Sequence, residues 1–216
     1  MIIKLKFLSP AYLLLLTLIA SCSQSANVDI QGELKKWHRV TLVFDGPEAS
    51  ELADENPFLN YRLDVTFTNG EQAYRVPGFY AADGDAAETS AEAGNKWMVR
   101  FTPNQTGEWA YTVSFKKGEE VAVQADVTEA VSAGFMDGLN GSFTIADSDK
   151  LLPDNRAQGR LNYVGEPYLK YAETEAYFIK LGVDAPENLL AYEDIDATPN
   201  ALGLRNNWEP LQKVFD

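Results

Sequence analysis

The sequence is poor in the residue types that most often carry chemistry. One Cys and one His in 216 residues exclude an intramolecular disulfide and leave no Cys or His set for a metal site. The fold must therefore be held by its hydrophobic core. Only 18 Lys and Arg oppose 32 Asp and Glu, which disfavours nucleic acid as a partner, because phosphate binding needs clustered basic side chains. No phosphate-binding loop occurs, and we expect no cofactor and no metal. The single His, His38, is expected to have a structural role.

The N-terminus has the pattern of an export signal. Lys4 and Lys6 precede an apolar run over residues 7–20, which is short for a membrane span and ends in small residues, as in a cleaved signal peptide. The run ends in IASC, which resembles the lipobox of bacterial lipoproteins and implies that Cys22 is the lipidated first residue. This resemblance predicts a signal peptide over residues 1–21 and a lipoprotein of the bacterial cell envelope, in the outer membrane. An ordinary signal peptide with an incidental Cys is the alternative.

Apolar residues then alternate with polar ones along most of the chain. This period of two is typical of strands with one buried face. The strand patterns cover Val40–Phe44, Tyr61–Thr68, Trp97–Phe101, Trp109–Phe115, Val121–Val127 and Phe143–Ile145. The Asn69-Gly70 pair suits a tight hairpin. About seven strands without helical stretches between them predict an all-β fold, an immunoglobulin-like antiparallel β-sandwich over residues 34–146. The small and polar residues 22–33 are predicted to be a tether.

The stretch Gly107–Tyr111 resembles the corner that leads into strand F of immunoglobulin-like domains. Trp109 occupies the position of the corner Tyr, and Tyr111 occupies the position of the second Cys. The resemblance is therefore to the architecture and not to true immunoglobulins.

Residues 147–216 form a second region that cannot make a large core. Arg160–Tyr171 has the pattern of a hairpin turning at Gly165, and Tyr177–Leu181 that of a third short strand. Three short strands bury little apolar surface by themselves. This C-terminal extension should therefore pack on the sandwich or belong to another folded unit.

Several motifs resemble one family of bacterial secreted proteins and lipoproteins. They are FDGPEASE, NPFLNYRLDVTF, VPGFYAADGDAAETS with NKWMVRFTP, and GEWAYTVSF. They resemble an N-terminal domain of unknown function that precedes a glycoside-hydrolase-like (β/α) barrel. The resemblance implies that residues 147–216 are the lead-in to that barrel, which is absent here. It also implies a truncated, non-catalytic module of a polysaccharide-processing protein, with no catalytic residue in this chain.

The stretch Pro77–Trp97 combines acidic side chains with many small residues. It lacks the ligand spacing of an EF-hand calcium loop. A glycosidase pair needs two carboxylates on either side of the bond, which closeness in sequence does not supply. We interpret the stretch as a loop whose acids cap backbone N–H groups, or as the edge of a substrate cleft. The candidate cleft-edge or carbohydrate-contacting residues are Tyr80, Asp83, Asp85, Glu88 and Trp97.

A second acidic cluster follows the predicted hairpin. Asp184, Glu187 and Asn188 offer groups that could hydrogen-bond sugar hydroxyls, and a solvated connection is the alternative interpretation. Two further function hypotheses stay open. A stand-alone carbohydrate-binding lipoprotein predicts exposed, coplanar aromatic side chains, whereas a structural envelope module predicts a protein partner.

Overall fold

Alternating apolar residues build two antiparallel sheets that pack face to face. The computed structural model describes residues 28–125 and 130–180. The first sheet contains, in spatial order, β1 (Val28–Gln31), β2 (Val40–Ser50), β6 (Ala93–Phe101) and β5 (Phe79–Tyr80). The second contains β4 (Gln72–Pro77), β3 (Tyr61–Asn69) and β7 (Gly107–Lys117), with β8 (Val131–Ser132) and β9 (Asn140–Ile145) both pairing with β7.

The predicted all-β antiparallel sandwich is confirmed. All strand pairs in both sheets are antiparallel. The first sheet has the strand order β1-β2-β6-β5, and in the second sheet β4, β3, β7 and β9 are neighbours in that order. The sandwich forms without an intramolecular disulfide, because the chain has only one Cys.

Large aromatic side chains fill the space between the sheets. Trp97, Trp109 and Phe115 are almost completely buried. The rings of Phe67 and Phe101 stack with their centroids 4.3 Å apart, and Trp97 meets Phe115 edge-on at 4.8 Å. Such pairs add about 0.5–1.5 kcal/mol each to the free energy of burial. The core is thus held by aromatic contacts across the two sheets.

A side-chain hydrogen bond closes the turn before β7. Trp109 Nε1 donates a hydrogen bond to the carbonyl of Gln105, at 3.0 Å. This bond runs back to the backbone four residues upstream. Trp109 therefore fixes the turn between β6 and β7 while its ring fills the core.

The β3–β4 hairpin turns through Gly70 and Glu71, because Asn69 already pairs with Gln72. Gly70 has φ 58°, which glycine adopts without steric cost. The side-chain amide of Asn69 donates to the carbonyls of Thr106 and Glu108. The predicted hairpin is confirmed, and Asn69 also ties it to the start of β7.

Two predicted strands are wrong. Residues 121–125 form turns, in which Val121 is buried whereas Val123 is 68% exposed. The alternating apolar residues here do not form a strand. Only Val121 is buried, where it anchors the turn. In the described part of Tyr177–Leu181, only Tyr177 forms a bridge, to Lys170. One-turn helices, α1 (Pro57–Asn60) and α2 (Ala86–Thr89), also lie between strands.

The C-terminal extension, residues 147–180, contains the predicted hairpin. Its strands are β10 (Leu161–Asn162) and β11 (Lys170–Tyr171), preceded by the 3₁₀ helix Asn155–Ala157. Cys22 and the predicted signal peptide lie outside the described residues. Within residues 28–125 and 130–180, no helix has the length and hydropathy needed to cross a bilayer.

Gly46 in β2 makes a close contact that yields a stability prediction. A Cβ atom at Gly46 would lie 2.4 Å from Cδ1 and 2.6 Å from Nε1 of the buried Trp97 indole. We expect Gly46→Ala to lower the free energy of unfolding by about 1–3 kcal/mol through overpacking. Gly118→Ala is the matched control, because its Cβ would meet its nearest neighbour at 3.6 Å. Equal unfolding midpoints for the two variants in urea would contradict this packing.

Candidate functional site

The loop between β4 and β6 begins where the chain crosses from the second sheet to the first. Gly78 N donates to the carbonyl of Leu63 at 2.7 Å. A Cβ at Gly78 would lie only 2.4 Å from Leu63 Cδ2. A glycine is therefore needed at this crossing, and β5 then pairs with β6 through Phe79–Met98 and Tyr80–Trp97.

Asp83 organises the acidic part of this loop. Its carboxylate accepts hydrogen bonds from the backbone N–H of Asp85 at 2.8 Å and from Thr89 Oγ1 at 2.7 Å. The bond from Thr89, and then the one from Asp85, lower the pKa of Asp83 below its usual value. Glu88 lies on α2 and is exposed. Asp83 thus closes the turn that leads into α2.

Tyr80 and Trp97, at the two ends of the same stretch, belong to the core. They are 5% and 1% exposed, and their ring centroids lie 5.2 Å apart. The Tyr80 hydroxyl lies 2.6 Å from the carbonyl of Ala49 and 3.2 Å from that of Gly94. Burial raises the pKa of Tyr80. The predicted set is therefore divided between buried aromatics and exposed acids.

Asp83 and Asp85, but not Glu88, line a cleft of about 350 Å³ on the outer side of the first sheet. Its lining residues are Asp29, Gln31, Val43, Asp45, Asp83, Gly84, Asp85, Lys96 and Met98. Lys96 Nζ forms an ion pair with Asp45. The cleft offers acceptors for a hydroxyl-rich ligand, beside one lysine.

A second, smaller groove of about 170 Å³ opens beside α1 and β5. Phe58 and Phe79 are exposed beside it, and its lining also includes Asp64. Asp64 is buried, and its Oδ2 accepts hydrogen bonds from Arg62 at 2.9 Å and Arg75 at 2.6 Å. The sequence patterns did not predict this groove, although Arg62 and Asp64, two residues apart on β3, were an available signal.

Asp184, Glu187 and Asn188 lie outside the described residues, as does Trp208. The other three Trp residues, Trp37, Trp97 and Trp109, are buried. An exposed aromatic pair, Tyr168 and Tyr177, meets at 69° and is not coplanar. The described residues therefore give little support to a flat aromatic platform for sugar rings.

The contact with the greatest structural consequence joins the sandwich to the C-terminal extension. Trp37 Nε1 donates to Glu173 Oε1 at 2.8 Å, and Lys36 Nζ lies 3.0 Å from Glu173 Oε2. A Cβ at Gly159 would lie 2.9 Å from Trp37 Cε2. Gly159 also has φ 75°. The extension can therefore approach the indole only with glycine here. We call these four residues the Trp37 anchor.

A network of ion pairs supports the Trp37 anchor on one side. Lys35 Nζ lies 2.7 Å from Asp149 and 3.1 Å from Glu33, and Lys150 and Arg156 each lie 3.4 Å from Glu33. The Lys35 hydrogen bond is the main cause that lowers the pKa of Asp149, to about 2. The network thereby joins the start of the sandwich to the extension.

His38 is buried beside this network. Its Nε2 lies 3.2 Å from Ser148 Oγ, and its Nδ1 lies 3.2 Å from Glu33 Oε1 without the angle of a hydrogen bond. Ligand atoms of His38, Glu33 and Asp149 lie within 4.8 Å of one another, as a metal site would need. Both carboxylates, however, already have lysine partners, whose charges oppose a divalent cation. The geometry favours an ion-pair network over a metal centre.

Comparison with known proteins finds one family whose model matches part of the chain. Residues 33–116 match the model of the family described as a domain of unknown function (DUF5060). This match covers less than half of the chain and nearly coincides with the stretch that carries the sequence motifs. None of the curated proteins matches the chain.

One solved structure is also similar. It is described as a "putative glycoside hydrolase" from Bacteroides vulgatus ATCC 8482, at 26% identity and a TM-score of 0.43. The similarity covers 67% of this chain and 20% of that protein. The chain thus spans about one fifth of that protein's length. The activity named in the description refers to that protein.

The pKa values of Glu173 and Asp149 allow a prediction of how the attachment of the extension to the sandwich depends on pH. Partial burial acts to raise the pKa of Glu173, but hydrogen bonds from Lys36 and Trp37 outweigh it and lower that pKa. Because the pKa of each acid is lower in the folded state, the ionised acid stabilises the fold at pH values above its ordinary pKa, which is 4.5 for Glu173 and 3.8 for Asp149. This stabilisation is lost as the pH falls through the lowered pKa. We expect hydrogen-exchange protection of residues 147–173, corrected for intrinsic rates, to fall as pH drops from 5 toward about 2.

Glu173→Gln separates this effect from general acid unfolding. The variant should weaken attachment at pH 7 by roughly 1 kcal/mol, allowing for solvent screening, and flatten the pH dependence. Glu175→Gln, two residues later, is the matched control and should behave as the unmodified chain. An unchanged exchange profile in Glu173→Gln would contradict this role for Glu173.

Proposed function

We propose that this chain is a non-catalytic β-sandwich module of a larger, lipid-anchored, glycoside-hydrolase-like protein that processes polysaccharide. The module spaces and orients the part of the protein that follows it. The observation that carries this proposal is the fixed attachment of the extension to the sandwich by Trp37, Gly159 and Glu173. A simple flexible tether would need no such contacts.

The arrangement of the described carboxylates supports a non-catalytic role. Asp83 closes a turn, Asp64 is held between two arginines, and Glu173 is bound by Trp37 and Lys36. Each of these acids has a structural partner, whereas a glycosidase pair must face the scissile bond from both sides. The family match over residues 33–116 and the motifs in that stretch agree with a module that accompanies such an enzyme.

Binding of carbohydrate by the module itself is the second candidate function. The observation that favours it is the groove beside Phe58 and Phe79, because exposed aromatic rings stack on apolar faces of ligands. Retardation in affinity gels containing polysaccharide, lost in Phe58→Ser and Phe79→Ser and kept in Phe135→Ser, would favour this function. Phe135 is also exposed and lies away from the groove.

An activity assay tests the non-catalytic role. We expect the purified chain to give no turnover on a panel of polysaccharides, because Asp64, Asp83 and Glu173 are engaged in a turn and in ion pairs. Turnover that disappears in Asp83→Asn or Asp85→Asn would place catalysis in the loop cleft and would overturn the proposal.

The lipid anchor is tested independently at Cys22. Because the anchor is a thioether and amide modification of the mature N-terminal residue, Cys22→Ser should remove the lipid mass and release the chain from the membrane fraction. Ser23→Ala is the adjacent control and should keep both. Mass spectrometry after expression in a bacterium measures the modification directly, and a lipid on Cys22→Ser would refute attachment at this residue.

A further inference from the structure

The outer side of the extension is unusually apolar. Nine of the sixteen exposed large hydrophobic residues in the described part of the chain lie between Leu151 and Ile179. Single exposed apolar residues are ordinary, but concentrated ones mark a binding surface. We call the hairpin part of this set the hairpin face. Its members are Tyr163, Val164, Tyr168, Leu169, Tyr177 and Ile179.

The hairpin face is held in place by polar contacts within the hairpin. Glu166 accepts a hydrogen bond from the Tyr177 hydroxyl at 2.5 Å and another from Lys170 Nζ at 3.2 Å. Phe178 N donates to the carbonyl of Leu169 at 2.8 Å. The Trp37 anchor holds the extension against the sandwich, and the side chains of the hairpin face remain exposed to solvent. They form a preorganised surface, which lowers the entropic cost of covering it.

The chain itself continues from this surface. Ile179 belongs to the hairpin face, and 36 residues follow Lys180. A segment that starts beside its own docking surface has a high effective concentration there. The segment is also rich in apolar residues: Leu181, Val183, Leu189, Leu190, Tyr192, Ile195, Leu202, Leu204, Trp208, Leu211, Val214 and Phe215.

Charge also favours this occupant. Residues 181–216 contain seven acids and two bases, whereas the extension, residues 147–180, contains six acids and five bases. With a net charge of only -1, the extension therefore repels this acidic segment weakly.

We infer that residues 181–216 dock on the hairpin face through their apolar side chains, and that this contact passes the orientation set by the Trp37 anchor to the polypeptide that follows. The inference rests on the proposed role of the extension in orienting its continuation, and it names the partner. It does not depend on whether the chain hydrolyses polysaccharide.

Trp208 provides the reporter for a test on the full chain in detergent. Its emission is isolated as the difference between spectra of the full chain and of its Trp208→Phe variant, since the other three Trp residues are buried. The patch variant is Tyr163→Ser with Ile179→Ser, at positions 77% and 54% exposed. The matched control is Leu52→Ser with Val123→Ser, which are 76% and 68% exposed and lie elsewhere.

Docking predicts a shift of Trp208 emission to longer wavelength and a rise in its acrylamide quenching in the patch variant, with no change in the control. Trp208 that is fully quenchable in the unmodified chain, or equal in both variants, would overturn the inference. A dimer in sedimentation that the patch variant dissociates would also overturn it, because a second copy would then be the occupant. Far-ultraviolet circular dichroism shared by all variants ensures that a lost fold does not imitate lost docking. Turnover in the polysaccharide assay would instead remove the proposed function and leave this fluorescence result standing.

Discussion

The indole of Trp37 meets the C-terminal extension at a point where almost no alternative geometry is available. Trp37 itself has φ 65°, a left-handed backbone conformation that costs on the order of 1–3 kcal/mol for a residue of this size. Burial of roughly 200 Å² of aromatic surface at about 25 cal/mol per Å² contributes near 5 kcal/mol, which outweighs that cost. The strained backbone is therefore sustained by the contacts of the indole with Gly159 and Glu173.

The Trp37 anchor gives the extension two unlike sides. Toward the sandwich it presents carboxylates and lysines, in the pairs that join Glu33, Lys35 and Asp149. Toward solvent it presents the hairpin face. Polar contacts give a defined geometry with modest stabilisation, whereas an apolar surface supplies affinity without fixed direction. This division suits an element that must keep one orientation on the sandwich and bind something else on its other side.

The strands were predictable because each has one face in a common core, and alternation records that directly. The prediction failed over Val121–Ala125, where Val121 is buried by the turn after Gly118 and its neighbours are exposed for unrelated reasons. The role of Asp83 as a turn residue was foreseeable from its small neighbours. The Trp37 anchor was not, because Glu173 follows Trp37 by 136 residues and only the folded chain brings them together. Gly159 gave no signal, since glycine is equally common in ordinary turns.

The attachment of the extension to the sandwich can be observed at one hydrogen atom of Trp37. Hydrogen exchange at the Trp37 indole N–H, followed by NMR, reports whether the extension stays on the sandwich in solution. A fixed extension predicts slow exchange at this site, in step with amides of the 3₁₀ segment and hairpin that cover it. Exchange as fast as that of a solvent-exposed indole, with the sandwich amides still protected, would show that the extension moves freely and would contradict the role assigned to it.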